Sequence, residues 1–139
     1  MLDLFELFTK VAEKNINNIA IKFSDKEKIT YKNLINKILR NSKIIDHLID
    51  ESKINIACIE SDKSINTYIL ILSLIKLKIP YFFLYPDMPI SRKKTIINTA
   101  KPTIYFYETS KSEIKISKSY KIDNLYKKRI THNIKKKKN

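Results

Sequence analysis

Residues 64–89, SINTYILILSLIKLKIPYFFLYPDMP, decide the fold of this chain. The stretch begins with a helical pattern from Ile65 to Leu77 that is apolar on nearly every face, and such a helix belongs inside a domain. Pro80 follows this pattern, and Tyr81 to Tyr85 then form a short aromatic run bounded by prolines, which is typical of a buried strand. The stretch therefore predicts the core of a layered α/β domain.

The segments on either side continue the alternation of strand and helix. Ile54 to Ile59 is a short, mostly apolar run that predicts a central strand covered on both faces. Ser91 is placed to cap a helix over Arg92 to Ala100, and Ile104 to Tyr107 predicts the next strand. Strands and helices that alternate in this way build a parallel sheet with right-handed crossovers.

Three further elements are predicted before this alternation. Apolar residues at three- and four-residue spacing predict an amphipathic helix over residues 2–14. Ile19 to Phe23 alternates as a half-buried strand does, and residues 28–30 predict a short return strand, which together make a small hairpin. Thr30 is then placed to cap a long helix that begins at Tyr31 and ends near Asp50 to Lys53.

The composition predicts one domain with a strongly basic end. The 139 residues are 43% hydrophobic, which is sufficient for a core, and the net charge is +14. Ile, Lys and Asn make up 63 residues, glycine is absent and alanine occurs four times, so a bias toward AT-rich codons competes with a binding role as the source of the charge. Residues 1–108 carry a net charge of +5 and residues 109–139 carry +9. We expect a domain over residues 1–108 and a partly extended basic tail over residues 109–139, disordered from about residue 127.

Cysteine content and hydropathy predict a cytoplasmic protein. The single cysteine cannot form an internal disulfide, and the first residues, MLDLFELF, lack the basic start of a secretory signal. Lys76, Lys78 and Pro80 interrupt the one apolar segment that could span a membrane, since a span needs about 18 nearly uncharged residues. We therefore expect no membrane partner, with anchoring by this helix as the least favoured alternative.

No residue type or spacing predicts a catalytic, cofactor-binding or metal site. Cys58 lies in a predicted buried strand, where a free cysteine acts as a small apolar residue. His47 and His132 have no partners at metal-ligand spacing. Acidic and basic residues near the end of the long helix indicate a charged surface rather than an acid/base pair; they are Lys43, Asp46, Asp50, Glu51 and Lys53.

The opening stretch resembles an early motif of the adenylate-forming ligases, LKAGxAYVPLDPxxP. That family includes the adenylation domains of nonribosomal peptide synthetases and the acyl-CoA synthetases, which activate carboxylates with ATP. Three residues depart from the motif: Lys78 replaces its glycine, Phe83 its first proline and Tyr85 its aspartate. The matching positions are Ile75, Lys76, Tyr81, Leu84, Pro86 and Pro89.

Weaker matches flank this motif in the same order and extend the resemblance over residues 1–107. The first helix is similar to LxELFxxxAxxxPDxxAL, and Ile29 to Leu34 is similar to LTYxEL. Asn55 to Ile59 matches a DxVAL strand, and Ser91 to Phe106 follows xxRLxxxLxxAxPxxxL. Residues 114–126 are expected to continue the resemblance as a further strand.

This resemblance implies the first part of an α/β subdomain without the family's chemistry. Family members bind ATP and magnesium through a glycine-rich Ser/Thr loop and later motifs, all downstream of the matched region, and a chain without glycine cannot supply that loop. No catalytic residue is therefore carried over, and Lys76 and Tyr81 are expected to serve packing and the helix end. We expect a partial layered domain, inactive alone, from an adenylation domain that is either truncated or split and completed by a second chain.

The alternative is a non-catalytic α/β scaffold or binding module. Its basic tail, which includes Lys127 to Arg129 and Lys135 to Lys138, would contact an acidic partner, or nucleic acid through counterion release.

Overall fold

The computed structural model describes residues 3–109 and 114–126 as an α/β domain. Four α-helices, six strands and one 3-10 helix occur within these residues. The helices are α1 (Leu4–Lys14), α2 (Tyr31–Leu48), α3 (Ile65–Lys76) and α4 (Ile90–Ala100), with the 3-10 helix at Ile122–Tyr126. The strands are β1 (Ile19–Lys22), β2 (Lys28–Thr30), β3 (Ala57–Glu60), β4 (Tyr81–Leu84), β5 (Ile104–Tyr107) and β6 (Ser119–Lys121).

The main sheet is parallel and has the strand order β4-β3-β5-β6. β3 lies between β4 and β5, so the chain passes from one side of β3 to the other when it runs through α4. β1 and β2 form the separate antiparallel hairpin expected from the sequence. The predicted fold class, a mainly parallel sheet with flanking helices, an N-terminal helix and a hairpin, is confirmed.

Alternate residues of each strand face two different helical layers. Ala57 and Ile59 of β3 pack with α2, α3 and the 3-10 helix, whereas Cys58 packs on the opposite side with α4 and residues 114–116. A third cluster joins α1 and the hairpin to the outer sides of α2 and α3. The opening stretch is thus central, because α3 lies between the sheet and this outer layer and contributes Ile69, Leu70 and Leu74 as fully buried residues.

Side-chain caps begin three of the helices. Asp3 accepts from the amides of Phe5 and Glu6, Thr30 accepts from Asn33, and Ser64 accepts from Thr67, which satisfies amides that lack a helical partner. The expected cap by Thr30 is therefore present. The expected cap by Ser91 is wrong: α4 begins at Ile90 after Pro89, and no side chain caps it.

Two strand boundaries in the structure differ from the predicted ones, at the start of β3 and at the end of β4. β3 begins at Ala57 rather than Ile54, because residues 54–56 precede the parallel pairing and the Ile54 side chain is 85% exposed. Asn55 is held instead by bonds from its side chain to the carbonyls of Asp50 and Lys53. β4 ends at Leu84, one residue before the predicted end.

Residues 114–126 add to the sheet rather than leaving it. β6 pairs in parallel with β5, and Ile114, Ile122 and Leu125 are buried in the domain. This is the further strand expected for these residues. The lysine-rich segment 127–139 and His132 lie outside the described residues, so the predicted tail and its disorder remain predictions.

α3 ends in a left-handed residue at Lys78, the position that aligns with the glycine of the motif. Lys78 adopts a left-handed backbone with φ of 59°. The amide of Ile79 donates to Leu74 O at 2.9 Å and the amide of Lys78 donates to Ile75 O at 3.1 Å, which is the Schellman arrangement that ends many helices. Glycine adopts this conformation without steric cost, whereas lysine does so at a cost of about 1–2 kcal/mol. Lys78 therefore ends α3 in a conformation that glycine would adopt more readily.

Among the residues that the structure describes, no helix has the length and hydropathy needed to cross a membrane.

Candidate functional site

The carboxyl ends of β3 and β5 form the best candidate site by position. In open parallel sheets, ligands bind outside the carboxyl ends of the strands where the strand order reverses. In this chain the reversal lies between β3 and β5, and the residues that follow these strands are Ser61 and Glu108. We call this place the switch point.

Glu108 joins the two strand ends. Its Oε2 accepts a hydrogen bond from Ser61 Oγ at 2.8 Å and one from the Asp62 amide at 2.9 Å. The Glu108 amide in turn donates to the carbonyl of Glu60 at 3.0 Å. The Glu108 carboxylate thus accepts hydrogen bonds from two donors after the end of β3, the Ser61 hydroxyl and the Asp62 amide.

A chain of hydroxyl groups extends from this carboxylate to the start of α3. Ser61 Oγ lies 2.7 Å from Thr67 Oγ1 and accepts from the Lys63 amide at 2.8 Å. Thr67 Oγ1 is also 3.2 Å from Ser64 Oγ, the cap of α3. Lys63 adopts a left-handed backbone with φ of 71°, which lets the loop turn sharply between β3 and α3. These bonds fix the loop over residues 61–64 through its own side chains.

A buried ion pair lies on the α4 side of the same strand end. Lys93 Nζ is 3.4 Å from Glu60 Oε1, and the two side chains are only 5% and 4% exposed. Lys93 Nζ also donates to Pro86 O at 2.8 Å, in the loop that follows β4. The pair therefore connects α4 to the ends of β3 and β4 at once.

The side chains at the switch point do not fit a nucleotide phosphate. Phosphate sites use free amides at helix starts or turns, together with cations, to meet negative charge. Here the Asp62 and Lys63 amides are bonded to side chains of the same loop, and Glu60 and Glu108 place carboxylates at the strand ends. Repulsion between carboxylates and phosphate opposes binding at this position. The arrangement ties the sheet to its loops.

No cluster of three or more His, Cys, Asp or Glu side chains that could hold a metal occurs within residues 3–109 and 114–126. His47 lies in the last turn of α2 and is partly buried.

The structure places Cys58 in the core, as its sequence context predicted. Its side chain is fully buried between β3 and the α4 layer. Burial, with a smaller contribution from the negative charge of Glu60, raises the pKa of the Cys58 thiol to about 12. A thiol that stays protonated at neutral pH is a poor nucleophile, so Cys58 is a packing residue.

The other residues singled out in the sequence serve structural contacts. Lys76 lies in the last turn of α3 with Nζ 5.9 Å from the ring centre of Phe5. Tyr81 packs edge-on against Phe83, with ring centres 5.8 Å apart. Both contacts agree with the packing and helix-end roles expected for Lys76 and Tyr81.

The charged cluster at the end of α2 does not form a catalytic pair. Asp50 accepts bonds from the side chain and amide of Ser52, which lower the pKa of its carboxyl group, and Lys53 lies 3.9 Å away. Asp46 and Glu51 are exposed. This is the charged surface that the sequence indicated.

Sequence reasoning missed Glu60, Lys93 and Glu108. One signal was available, because Glu60 directly follows the mostly apolar run Ile54 to Ile59, and a glutamate in such a position is rarely buried unless it is paired. Nothing in the sequence identified Lys93 among the other lysines of the chain as its partner.

The comparisons with known proteins agree with this fold. No protein-family model matches the chain. Nonribosomal peptide synthetase 2 of Cochliobolus heterostrophus is 34% identical over 88 residues, which cover 63% of this chain and 2% of that protein. The N-terminal subdomain of Klebsiella oxytoca NpsA superposes with a TM-score of 0.77 at 16% identity, over 90% of this chain and 32% of the other. The chain resembles the N-terminal part of an adenylation domain.

Further solved structures have the same fold and the same limited extent. IdnL1 matches with a TM-score of 0.71 at 21% identity, over 85% of this chain and 25% of its own length. NpsA within an artificially fused adenylation-PCP di-domain matches with a TM-score of 0.76 at 18% identity, over 87% of this chain and 23% of that one. The chain therefore spans about a third or less of the proteins that it resembles, and the resemblance to an adenylate-forming domain expected from the sequence is confirmed.

Proposed function

We propose that this chain is one part of an incomplete adenylation domain, which does not activate a carboxylate alone and which a second chain completes. The extent of the structural match supports this proposal. The match covers 90% of this chain but only 32% of the NpsA N-terminal subdomain. About two thirds of that structure lie outside the match.

The hydrogen bonds and the ion pair at the switch point support the proposal that the chain is inactive alone. Glu108 accepts from Ser61 and Asp62, and the Glu60–Lys93 pair fills the adjacent position on the α4 side. An enzyme that activates a carboxylate must stabilise the charge that develops on the transferred phosphoryl group, and it does so with positioned donors and cations. At this strand end the donors are already bonded within the chain.

The edge of β4 suits a completing chain. Because Pro80 O accepts from the Ala57 amide, the alternation of a parallel strand directs the amides and carbonyls of Tyr81 and Phe83 away from β3. A strand edge of this kind pairs readily with a further strand. A second chain that adds a strand beside β4 would extend the sheet without disturbing the pairs that are already formed.

Calorimetry with the isolated chain tests the first part of the proposal. Titration of ATP, with and without magnesium, should produce no binding heat, while circular dichroism establishes that the protein is folded. Tight, magnesium-dependent binding of ATP would contradict the proposal. The second part is tested by mixing the chain with a polypeptide that carries the missing glycine-rich loop. Exchange of pyrophosphate into ATP, dependent on the acid, should appear in the mixture and in neither component alone.

One observation favours a second candidate function, binding to nucleic acid. The net charge of +9 in residues 109–139 would attract a phosphate backbone without sequence preference. Removal of residues 127–139 should then abolish a salt-sensitive retention on polynucleotides. If the charge reflects codon composition alone, the shortened and complete chains should elute at the same salt concentration.

A further inference from the structure

A cavity lined by lysine side chains lies where the hairpin, α2 and the start of α3 meet. Its volume is about 350 Å³, and its lysines are Lys26, Lys28 and Lys37, beside the acidic residue Glu27. All four residues are exposed, and within residues 3–109 and 114–126 none of the three lysines forms an ion pair. Their charges are therefore available to an anion that enters the cavity.

The lysine-rich segment 127–139 begins beside this cavity. Asn66, which lines the cavity, donates from its side chain to Asp123 Oδ1 at 2.9 Å. Asp123 belongs to the 3-10 helix, which ends three residues later at Tyr126, and a 3-10 helix rises about 2 Å per residue. The segment thus begins about 6 Å beyond a residue that contacts the cavity wall. Residues 127–139 contain seven basic and no acidic side chains, so their charge adds to that of the cavity.

Phe23 provides an exposed aromatic ring next to the same lysines. Its amide donates at 2.8 Å to the carbonyl of Glu27, a residue of the cavity lining. Its ring centre is 6.0 Å from that of Tyr68 in α3, and Phe23 is still 47% exposed. In single-stranded nucleic acids, the bases stack on aromatic rings while the phosphates contact lysines. The carboxylates of an acidic protein would use the lysines but not the ring.

A second basic cavity, of about 380 Å³, lies at the opposite end of the main sheet. Its lysines precede β3, β5 and β6, whereas residues 64–66 of the first cavity follow the carboxyl end of β3 and the 3-10 helix follows that of β6. Lys118 Nζ donates to Leu48 O at 2.9 Å, and Lys53 Nζ lies 3.9 Å from an Asp50 oxygen. Two of its lysines therefore already have partners. The lysines of the second cavity are Lys53, Lys101, Lys115 and Lys118.

We propose that the first cavity and the segment 127–139 bind the same single-stranded nucleic acid, with phosphates at Lys26, Lys28 and Lys37 and a base stacked on Phe23. This inference rests on the second candidate function, nucleic-acid binding, and adds to it a surface of the folded domain and a preference for single strands. Lysine contacts to phosphates carry no sequence information, so binding has no sequence preference.

The salt dependence of binding tests the role of the cavity. Fluorescence anisotropy of a labelled 20-nucleotide oligothymidylate is measured with the complete chain at several salt concentrations, and we expect a dissociation constant of about 1–100 μM at physiological salt. Each lysine contact to a single strand contributes about 0.7 to the slope of log K against log salt concentration. The variant with Lys26→Gln, Lys28→Gln and Lys37→Gln should therefore reduce the slope by about 2.

The second cavity provides the matched control. Lys53→Gln, Lys101→Gln and Lys115→Gln remove the same number of positive charges from the opposite end of the sheet. We expect this variant to reduce the slope by less than about 0.7, the contribution of one contact. Circular dichroism establishes that both variants are folded. Equal reductions in the two variants would show that binding follows the overall charge and does not use the first cavity.

Phe23→Leu tests stacking. Leucine keeps an apolar side chain against Tyr68 but removes the ring, so affinity for oligothymidylate should fall at least about fivefold. Affinity for a duplex of the same length should be unchanged, because its bases are already stacked on one another. Tyr85→Leu is the control, since Tyr85 is a similarly exposed aromatic residue, 52%, that does not line the cavity. An equal effect of Phe23→Leu on single strands and duplexes would overturn the preference for single strands.

Two further outcomes would contradict the inference in different ways. If polyglutamate of equal charge displaces the labelled strand as well as unlabelled oligothymidylate does, the surface binds an acidic protein. If the complete chain binds no oligonucleotide even at low salt, the candidate function itself is wrong. Unequal slopes of the two lysine variants can arise only when the chain binds, so failure of the cavity is distinguished from failure of the candidate function.

Discussion

Lys93 Nζ lies 3.4 Å from Glu60 Oε1 in a place where both side chains are almost completely withdrawn from solvent. Removal of one partner of a buried ion pair costs about 3–5 kcal/mol. We therefore expect Lys93→Met to lower the free energy of unfolding by this amount. Urea denaturation followed by circular dichroism measures the change.

Two further variants separate the charge effect from loss of packing. Glu60→Gln combined with Lys93→Met removes both charges and should recover part of the lost stability. Lys53→Met removes a lysine from a pair with Asp50 that is largely exposed, and it should change stability by less than about 1 kcal/mol. Equal losses of stability in Lys93→Met and Lys53→Met would show that the buried pair contributes no more to stability than the exposed pair.

The bond between Glu108 and the end of β3 predicts a local effect. Glu108→Ala leaves Ser61 Oγ and the Asp62 amide without their acceptor, so we expect a loss of about 1–3 kcal/mol in the free energy of unfolding. Hydrogen exchange should accelerate at the amides of residues 61–64. Glu51→Ala is the control, since Glu51 is exposed. Unchanged exchange in the 61–64 loop would mean that Glu108 does not hold it.

Much of the fold follows from patterns that depend on local sequence. The uninterrupted apolar face of α3 can be satisfied only in a core, and the alternation of short apolar runs with helices predicts the parallel sheet. The boundaries that shifted depend on tertiary contacts. Ile54 is as apolar as the residues of β3, but the partner strands begin opposite Ala57, and a sequence pattern does not show where a partner begins.

The contacts of the candidate site could not be predicted from the sequence, because they also depend on tertiary structure. Glu108 follows β5 and Ser61 follows β3, 47 residues apart in sequence, and they meet only because the two strands are neighbours in register. The choice of Lys93 as the partner of Glu60 depends on how α4 packs across the sheet. Neither relationship has a local signature.

Lys78 provides a test of backbone strain at the motif's glycine position. Its left-handed conformation costs about 1–2 kcal/mol in a residue with a Cβ atom, whereas glycine loses about 0.5–1 kcal/mol through its greater freedom in the unfolded chain. We expect Lys78→Gly to raise the free energy of unfolding by up to about 1 kcal/mol in urea denaturation. Lys94→Gly, at an exposed position within α4, should lower it by about 1 kcal/mol. A loss at both positions would contradict the strain at Lys78.

Because the Cys58 thiol is buried, we expect the free energy of unfolding to fall as the pH rises in the alkaline range. Burial raises the pKa of its thiol well above the ordinary range, to about 12, so the unfolded chain releases this proton at lower pH than the folded one. The stabilisation from the protonated thiol is complete below about pH 9 and is lost as the pH rises toward 12, with a slope of up to about 1.4 kcal/mol per pH unit. Urea denaturation at pH 8, 9 and 10 should show this fall in the parent chain and a smaller fall in Cys58→Ala. Lysines and tyrosines titrate in both proteins, so the difference between the two slopes isolates the cysteine. Equal slopes, or rapid reaction of the folded protein with a thiol reagent at pH 8, would mean that Cys58 is not held in the core.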